Sequence, residues 1–189
     1  MAITMRGFFL SCLLCLLSVN LLLAQEVKFG VGAGQSLIKG EQSKERVAGI
    51  RYNAMYEFQP YRSPLAFGFS ASFLQSDAPY TRPNGEFYEQ MRVIPVAFVP
   101  KLMFSEYDSK AFVKAMIGGQ QTRSVITGDN FNRTNQEFGF YGGIGAGIEL
   151  GITSFLFTVL EYELGVVGSR LLNSPVIHSA QIAIGVKFN

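Results

Sequence analysis

The segment QEFGFYGGIGAGIEL, residues 136–150, decides the fold because apolar residues alternate along it with glycine or charged residues. Its even positions include Phe138, Ile144 and Ile148, and its odd positions are mainly glycine, with Glu149 near the end. Successive side chains of a β-strand point to opposite faces, whereas a helix repeats every ~3.6 residues. The segment therefore predicts a β-strand with one apolar face and one glycine-rich face.

The same alternation recurs in eight segments after residue 24, where no stretch shows a helical stripe of comparable length. Pro95 and Pro100 fall inside the fourth segment, and each removes a hydrogen bond from the strand ladder. We therefore expect a β-bulge near Pro100. The eight predicted strands are 27–37, 47–58, 65–75, 90–104, 111–122, 136–152, 154–166 and 176–188.

Long and short connections alternate between the predicted strands. Outer-membrane barrels have short turns on the periplasmic side and long loops outside, and an even strand number places both termini in the periplasm. The sequence thus predicts an all-β fold, an eight-stranded antiparallel transmembrane up-and-down β-barrel of the bacterial outer membrane. Its four predicted extracellular loops are 36–46, 76–89, 123–135 and 168–175.

Residues 1–24 form a leader that we exclude from the barrel. Polar residues interrupt its leucine-rich run, which favours a signal peptide cleaved after Ala24 over a membrane anchor of roughly 20 apolar residues. Both cysteines, Cys12 and Cys15, lie in this leader. Lipidation of Cys12 is the alternative, although the apolar core before it is short. The predicted barrel domain, residues 25–189, has no cysteine and hence no disulfide or thiolate site.

The two faces of the predicted strands differ in chemistry. One is rich in Phe, Ile, Leu and Val and almost free of charge, and the other carries glycine, serine and charged residues. A membrane barrel turns the apolar face to lipid, whereas a soluble lipocalin-like barrel would reverse the faces. The formal net charge of +2 argues against a nucleic-acid partner. Two aromatic girdles are predicted, from Phe29, Phe58, Phe67, Phe104 and Phe188 at one end and Phe73, Phe138 and Tyr162 at the other.

Charged residues on the inward face are the candidate site. Eight strands enclose a bore that side chains nearly fill, so charges there persist when they are paired. We expect Arg51 or Lys114 to pair with Glu161 or Glu163 in an ion-pair network that plugs the lumen. A gated path or a small-solute site is the alternative. The full inward set is Lys28, Arg51, Lys101, Lys114 and Lys187 with Glu57, Glu137, Glu149, Glu161 and Glu163.

No residue pattern predicts catalysis, a cofactor or a metal. His178 is the only histidine, and Ser179 beside it points to the opposite face of a strand, so the two cannot share a proton. A single histidine cannot supply a multi-histidine zinc site. The glycine run 142–147 lies within a strand, whereas a dinucleotide loop requires a helix after it. The sequon at 132–134 is interpreted as loop.

Four segments carry a family resemblance: AQEVKFGVGAG (24–34), RVIPVAFVPKLMF (92–104), FGFYGGIGAGIEL (138–150) and IAIGVKFN (182–189). They resemble the small outer-membrane β-barrel proteins of Bacteroidota, which include PorT-like and outer-membrane-protein-A-like barrel domains. The resemblance covers nearly the whole of the predicted barrel domain. It implies insertion by the outer-membrane assembly machinery, and it implies no particular activity.

Three functional hypotheses remain open. The first is a non-enzymatic barrel that supports the envelope or binds partners through its four loops. The second is an accessory component of a secretion or assembly complex, as the PorT-like resemblance implies. The third is a narrow channel or a lipid-modifying enzyme. Outer-membrane lipid, including lipopolysaccharide, is the expected surrounding in all three.

Overall fold

Eight antiparallel strands form a closed barrel, as the sequence predicts. The computed structural model of the protein describes residues 24–39, 47–61, 63–82, 85–104, 109–128, 131–172 and 174–188. Each strand pairs with the next along the chain, and the last closes on the first. The strands are β1 (Ala24–Ile38), β2 (Val47–Pro60), β3 (Leu65–Arg82), β4 (Gly85–Met103), β5 (Ser109–Gly128), β6 (Phe131–Gly151), β7 (Leu156–Val167) and β8 (Val176–Phe188).

The predicted leader lies almost wholly outside the described residues, which begin at Ala24, so the signal peptide stays a prediction. Within the described ranges, no helix combines the length and the apolar character of a membrane span.

The alternation of side chains sets the two faces of the barrel in the predicted register. Phe29 is 53% exposed on the outside, whereas its neighbour Lys28 is 0% exposed inside. Ile182 on β8 is likewise exposed, and Gln181 beside it is buried. The outer surface of these strands is therefore apolar, and Lys28 and most other charged residues of the predicted inward set are buried on the inner face.

Two of the predicted long loops, 76–89 and 123–135, are in fact strand for most of their length. Arg82 pairs with Gly85, so β3 and β4 continue to a tight connection, and Gly128 pairs with Phe131 in the same way between β5 and β6. Polar residues on both faces hid these strands, because beyond an apolar surface a strand needs no apolar alternation. The prediction of loops was wrong here, and the segments form two long hairpins.

Of the other two predicted loops, 36–46 lies mostly outside the described residues and 168–175 lies mostly within them. In 36–46, residues up to Ile38 belong to β1, and 40–46 lie outside the described residues. The described part of 168–175 contains no regular strand, as predicted.

The expected β-bulge near Pro100 is absent from the described ladders. Each proline pairs with only one of its two neighbouring strands, because it has no N–H to donate. Pro95 pairs with β5 and not with β3, and Pro100 pairs with β3 and not with β5. The register is the same on both sides of each proline, so the prediction of a bulge was wrong. The pairs that show it are Phe98–Ile117 and Lys101–Lys114 around Pro100, and Ala71–Val96 and Leu74–Val93 around Pro95.

Two apolar clusters occupy the interior of the barrel, which the sequence analysis did not predict. We call the larger one the apolar layer, and it consists of Ile38, Leu74, Met91, Val93, Ala97, Met116, Tyr141, Val167, Leu172 and Ile177. The smaller cluster lies nearer the end of the barrel where both chain termini are, and consists of Met103, Phe112, Phe157, Val159 and Ala183.

Candidate functional site

Four charged residues from three strands meet in the lumen, and we call them the central cluster: Arg51 on β2, Lys114 on β5, and Glu161 and Glu163 on β7. Lys114 Nζ lies 2.8 Å from Glu161 Oε2 and also contacts Glu163. Arg51 Nη1 contacts Glu163 Oε2 from the other side. All four side chains are buried. These are the residues that the sequence analysis proposed for the lumen network.

Polar neighbours complete the central cluster. Arg51 Nη2 donates to Ser72 Oγ at 3.0 Å, and Ser72 Oγ donates in turn to Asn53 Oδ1 at 3.0 Å. Gln181 Nε2 donates to Glu163 Oε1 at 3.4 Å. The guanidinium and the carboxylate are therefore held by hydrogen bonds as well as by charge, which is what a buried ion pair requires.

Glycines of β6 make room for the central cluster. A Cβ on Gly145 would lie 2.9 Å from Lys114 Cε and 3.2 Å from Glu163 Cγ. Gly145 also lies between these two residues in the sheet, because it pairs with Lys114 on β5 and with Glu163 on β7. The glycine run thus keeps the inner wall thin at the point where Lys114 reaches across β6 to the glutamates.

A second group of charges lies toward the chain termini, and we call it the terminal cluster: Lys28, Lys101, Glu57 and Glu149. Lys28 Nζ lies 3.1 Å from Glu57 and 3.0 Å from Glu149. Lys101 Nζ lies 2.9 Å from Glu57 and 3.4 Å from Glu149. Each lysine thus contacts both carboxylates, so the cluster is a closed four-membered network.

Aromatic and charged side chains border the terminal cluster. Lys101 Nζ lies 4.2 Å from the centre of the Phe112 ring. Lys187 Nζ is 3.6 Å from Glu149, so this predicted inward residue joins the edge of the network. Glu26, which the sequence analysis did not include, lies 3.5 Å from Lys28 and 3.7 Å from Lys187. Its two-residue spacing from Lys28 was a signal that it faces the same side.

Two glutamates lie apart from both clusters. Glu137, which was predicted to belong to the inward set, lies near the opposite end, where it accepts hydrogen bonds from Ser169 Oγ at 2.9 Å and Arg170 N at 2.8 Å. It anchors the connection between β7 and β8 and forms no part of the described ion-pair networks. Glu89 was missed because it fell in a predicted loop; it is 0% exposed and accepts a hydrogen bond from Ser124 Oγ at 3.2 Å.

One small cavity lies inside the barrel, among the described residues. A cavity of about 20 Å³ lies between the two charged clusters, beside Glu57, Lys101, Lys114 and Glu161. That volume holds about one water molecule. Leu172, from the connection between β7 and β8, is buried in the apolar layer beyond the central cluster. Charged residues, apolar side chains and a connecting segment thus all fill the bore.

His178 and Ser179 lie on opposite faces of β8, as their adjacency predicts. His178 Nδ1 is hydrogen-bonded to Tyr162 Oη at 2.8 Å on the outer surface. Ser179 Oγ is hydrogen-bonded to Ser36 Oγ at 2.8 Å inside. The two residues therefore do not form a nucleophile and base pair. Across the described ranges, no group of three or more His, Cys, Asp or Glu side chains is placed to hold a metal ion.

The chain belongs to the outer membrane protein beta-barrel domain family, whose model matches residues 9–189. Family and fold together indicate a protein of the bacterial outer membrane. No curated protein sequence matches the chain significantly.

Three solved structures with a similar fold are outer-membrane proteins of 15% sequence identity or less to this chain. The attachment invasion locus protein Ail of Yersinia pestis is 15% identical, with a TM-score of 0.60 over 86% of this chain and 98% of that one. A major outer membrane protein of Thermus thermophilus is 13% identical, with a TM-score of 0.63 over 86% and 99%. Neisserial surface protein A is 12% identical, with a TM-score of 0.57 over 85% and 95%.

Proposed function

We propose that the protein is a non-enzymatic outer-membrane barrel with a plugged lumen, which acts in envelope structure or in binding at its outer surface. The filled lumen carries this proposal. A conducting pore needs a continuous polar path, whereas here buried ion pairs alternate with the apolar layer along the bore. Closure with only eight strands also makes the bore narrow enough for side chains to fill.

The proposed orientation places both termini in the periplasm and the long hairpins outside. An N-terminal export signal and an even number of strands support it. The assembly machinery would insert the barrel, with Phe188 as the aromatic residue near the end of the last strand. Outer-membrane lipid, including lipopolysaccharide, would surround its apolar surface.

The hairpins are the proposed binding surface. The outer parts of β3 to β6 continue as a four-stranded sheet beyond the pairing with β2 and β7, whose described ladders stop at Gln75 and Tyr141. Among the described residues, no further strand pairs with the outer end of β3 or with β6 before the hydrogen bond from Gly168 N to Phe140 O, so an extended partner segment can add there as a further strand. Pro79 lacks an N–H on the β3 edge, so the β6 edge is the better candidate.

Conductance tests the plugged lumen. The full chain, refolded into planar bilayers, should show little steady conductance, with a general porin in the same bilayers as the positive control. Large and stable channels from the refolded chain would overturn the proposal.

Partner capture tests the binding role and its alternative, an accessory role in a secretion or assembly complex of the PorT-like kind. The tagged protein would be purified from native membranes beside a variant in which a short turn replaces 76–89. A partner lost only with the hairpin supports binding through the outer surface. Stable co-purification of secretion components with both forms supports the accessory role instead.

A further inference from the structure

Four outward-facing polar residues form one row across the outer sheet, and we call it the arginine row: Gln75, Arg92, Arg123 and Gln136. They are paired in that order across β3, β4, β5 and β6. Their neighbours along the strands show the direction in which they point. Met91 and Val93 on β4, and Thr122 and Ser124 on β5, are buried, so the two arginines lie on the opposite, outer face.

The two arginines lie directly opposite each other without a described counter-ion. Like charges in directly opposite positions of neighbouring strands destabilise a sheet. No described carboxylate forms an ion pair with either guanidinium. Asp77, in the next row, accepts a hydrogen bond from Gln75 at 3.4 Å instead. Arg92 Nε is buried and has no hydrogen-bond partner among the described residues. An anion at this position would remove the repulsion and satisfy that donor.

The row lies at the boundary between the apolar surface and the polar hairpins. The next row toward the apolar surface pairs Ile94, Gln121 and Phe138, and Phe138 is 73% exposed. The next row in the other direction includes Asp77 and Gln90. Aromatic residues mark the membrane interface of a barrel, so the arginine row lies at the depth of the lipid headgroups.

We propose that Arg92 and Arg123 together bind a phosphate group of an outer-leaflet lipid headgroup, with lipopolysaccharide as the ligand. Two planar guanidinium groups side by side suit the bidentate recognition of phosphate oxygens. Gln75 and Gln136 at the ends of the row add amide donors. This site rests on the proposed orientation, in which the hairpins face outward.

Binding of labelled lipopolysaccharide to the full chain in detergent micelles tests the site. The double variant Arg92→Gln/Arg123→Gln should lose affinity by roughly tenfold or more, since it removes charge-assisted hydrogen bonds. Arg133→Gln is the matched control, because Arg133 is exposed on the opposite face of the same sheet and contacts Asn135. It should change affinity by less than about twofold. An unchanged shift in gel mobility on heating would show that all variants are folded.

Three outcomes would overturn the proposal. If Arg133→Gln weakens binding as much as the double variant, the effect is one of general charge. If lipopolysaccharide stripped of its lipid A phosphates binds as tightly as the intact form, phosphate is not the recognised group. If inorganic phosphate displaces the lipid at equal concentration, the site binds a free anion. Labelling of a Thr127→Cys variant on intact cells tests the orientation separately. A hairpin that faces outward should be labelled. A wrong orientation can therefore be told apart from a wrong phosphate site.

Discussion

At the scale of single residues, Glu163 is the centre of the lumen network because it contacts both cations of the central cluster. Arg51 approaches it from β2 and Lys114 from β5, while Glu161 contacts Lys114 alone among the ion pairs described here. A charge that loses its partner in a buried site retains the cost of desolvation. Loss of Glu163 should therefore reduce the stability of the barrel more than loss of Glu161.

Glu163→Gln should lower the free energy of unfolding by about 3–5 kcal/mol, the range for breaking a buried pair. Glu161→Gln should cost less, since Lys114 keeps Glu163 as a partner. Unfolding of the refolded barrel in lipid vesicles, followed over a urea gradient, measures both. Glu137→Gln, outside the lumen clusters, is the control and should cost less than Glu163→Gln, because Gln keeps an oxygen that can accept the hydrogen bonds from Ser169 and Arg170. An equal or larger loss for Glu161→Gln would contradict the central position of Glu163.

Two adjacent glycines on β5 should respond very differently to the same substitution. A Cβ on Gly118 would collide with the carbonyl oxygen of Val96 in the neighbouring strand. A Cβ on Gly119 would have its nearest neighbour, the Gly139 carbonyl oxygen, at 3.7 Å. Gly118→Ala should therefore destabilise the barrel by about 1–3 kcal/mol, as overpacking does, and Gly119→Ala should be close to neutral. The same urea titration compares them, and equal effects would show that the strand pair adjusts freely.

At the scale of the strands, the inward and outward faces follow from the alternation of side chains alone. The prolines of β4 interrupt individual hydrogen bonds without moving the register, because a single missing N–H affects one side of one ladder. The hairpins show the limit of that alternation. Beyond the apolar surface both faces of a strand can be polar, so the same residues that form strands resemble a loop in composition.

A charge on the lipid face should prevent or weaken insertion. Ile144 is 62% exposed on the outer surface of β6, and Arg at the membrane midplane costs about 2–4 kcal/mol. Ile144→Arg should lose that amount in folding free energy in vesicles, whereas the matched Ile144→Leu should be nearly neutral. Ser70→Thr, on the lumen side of β3, should also be mild. A larger loss for Ser70→Thr than for Ile144→Arg would mean that the two faces are exchanged.

At the scale of the whole molecule, closure turns eight locally similar strands into one sealed barrel. β8 pairs with β1 from Phe188–Val27 to His178–Leu37, so no edge remains along this part of the wall. Closure also brings Lys28 and Glu149 together although 121 residues separate them in the chain. The charged clusters therefore form only when the barrel wall is closed.

The intact barrel should fractionate with outer membranes and migrate differently on gels before and after heating. A closed barrel that resists unfolding in detergent runs at a different apparent mass until heat opens it. Fractionation of cells followed by paired heated and unheated samples makes the measurement. Recovery of the protein in the soluble periplasm without detergent would contradict the membrane assignment.

The sequence by itself determined the number of strands, their order and the face on which each side chain lies, because period-two alternation is a local property. It also identified Arg51, Lys114, Glu161 and Glu163 as inward residues. The pairing of each base with a particular acid depended on how the sheet closed and how far its strands were staggered. The apolar layer likewise needed the tertiary structure. The sequence shows only that Met116 points inward, whereas closure of the barrel places Met116 and Ile177 in one cluster.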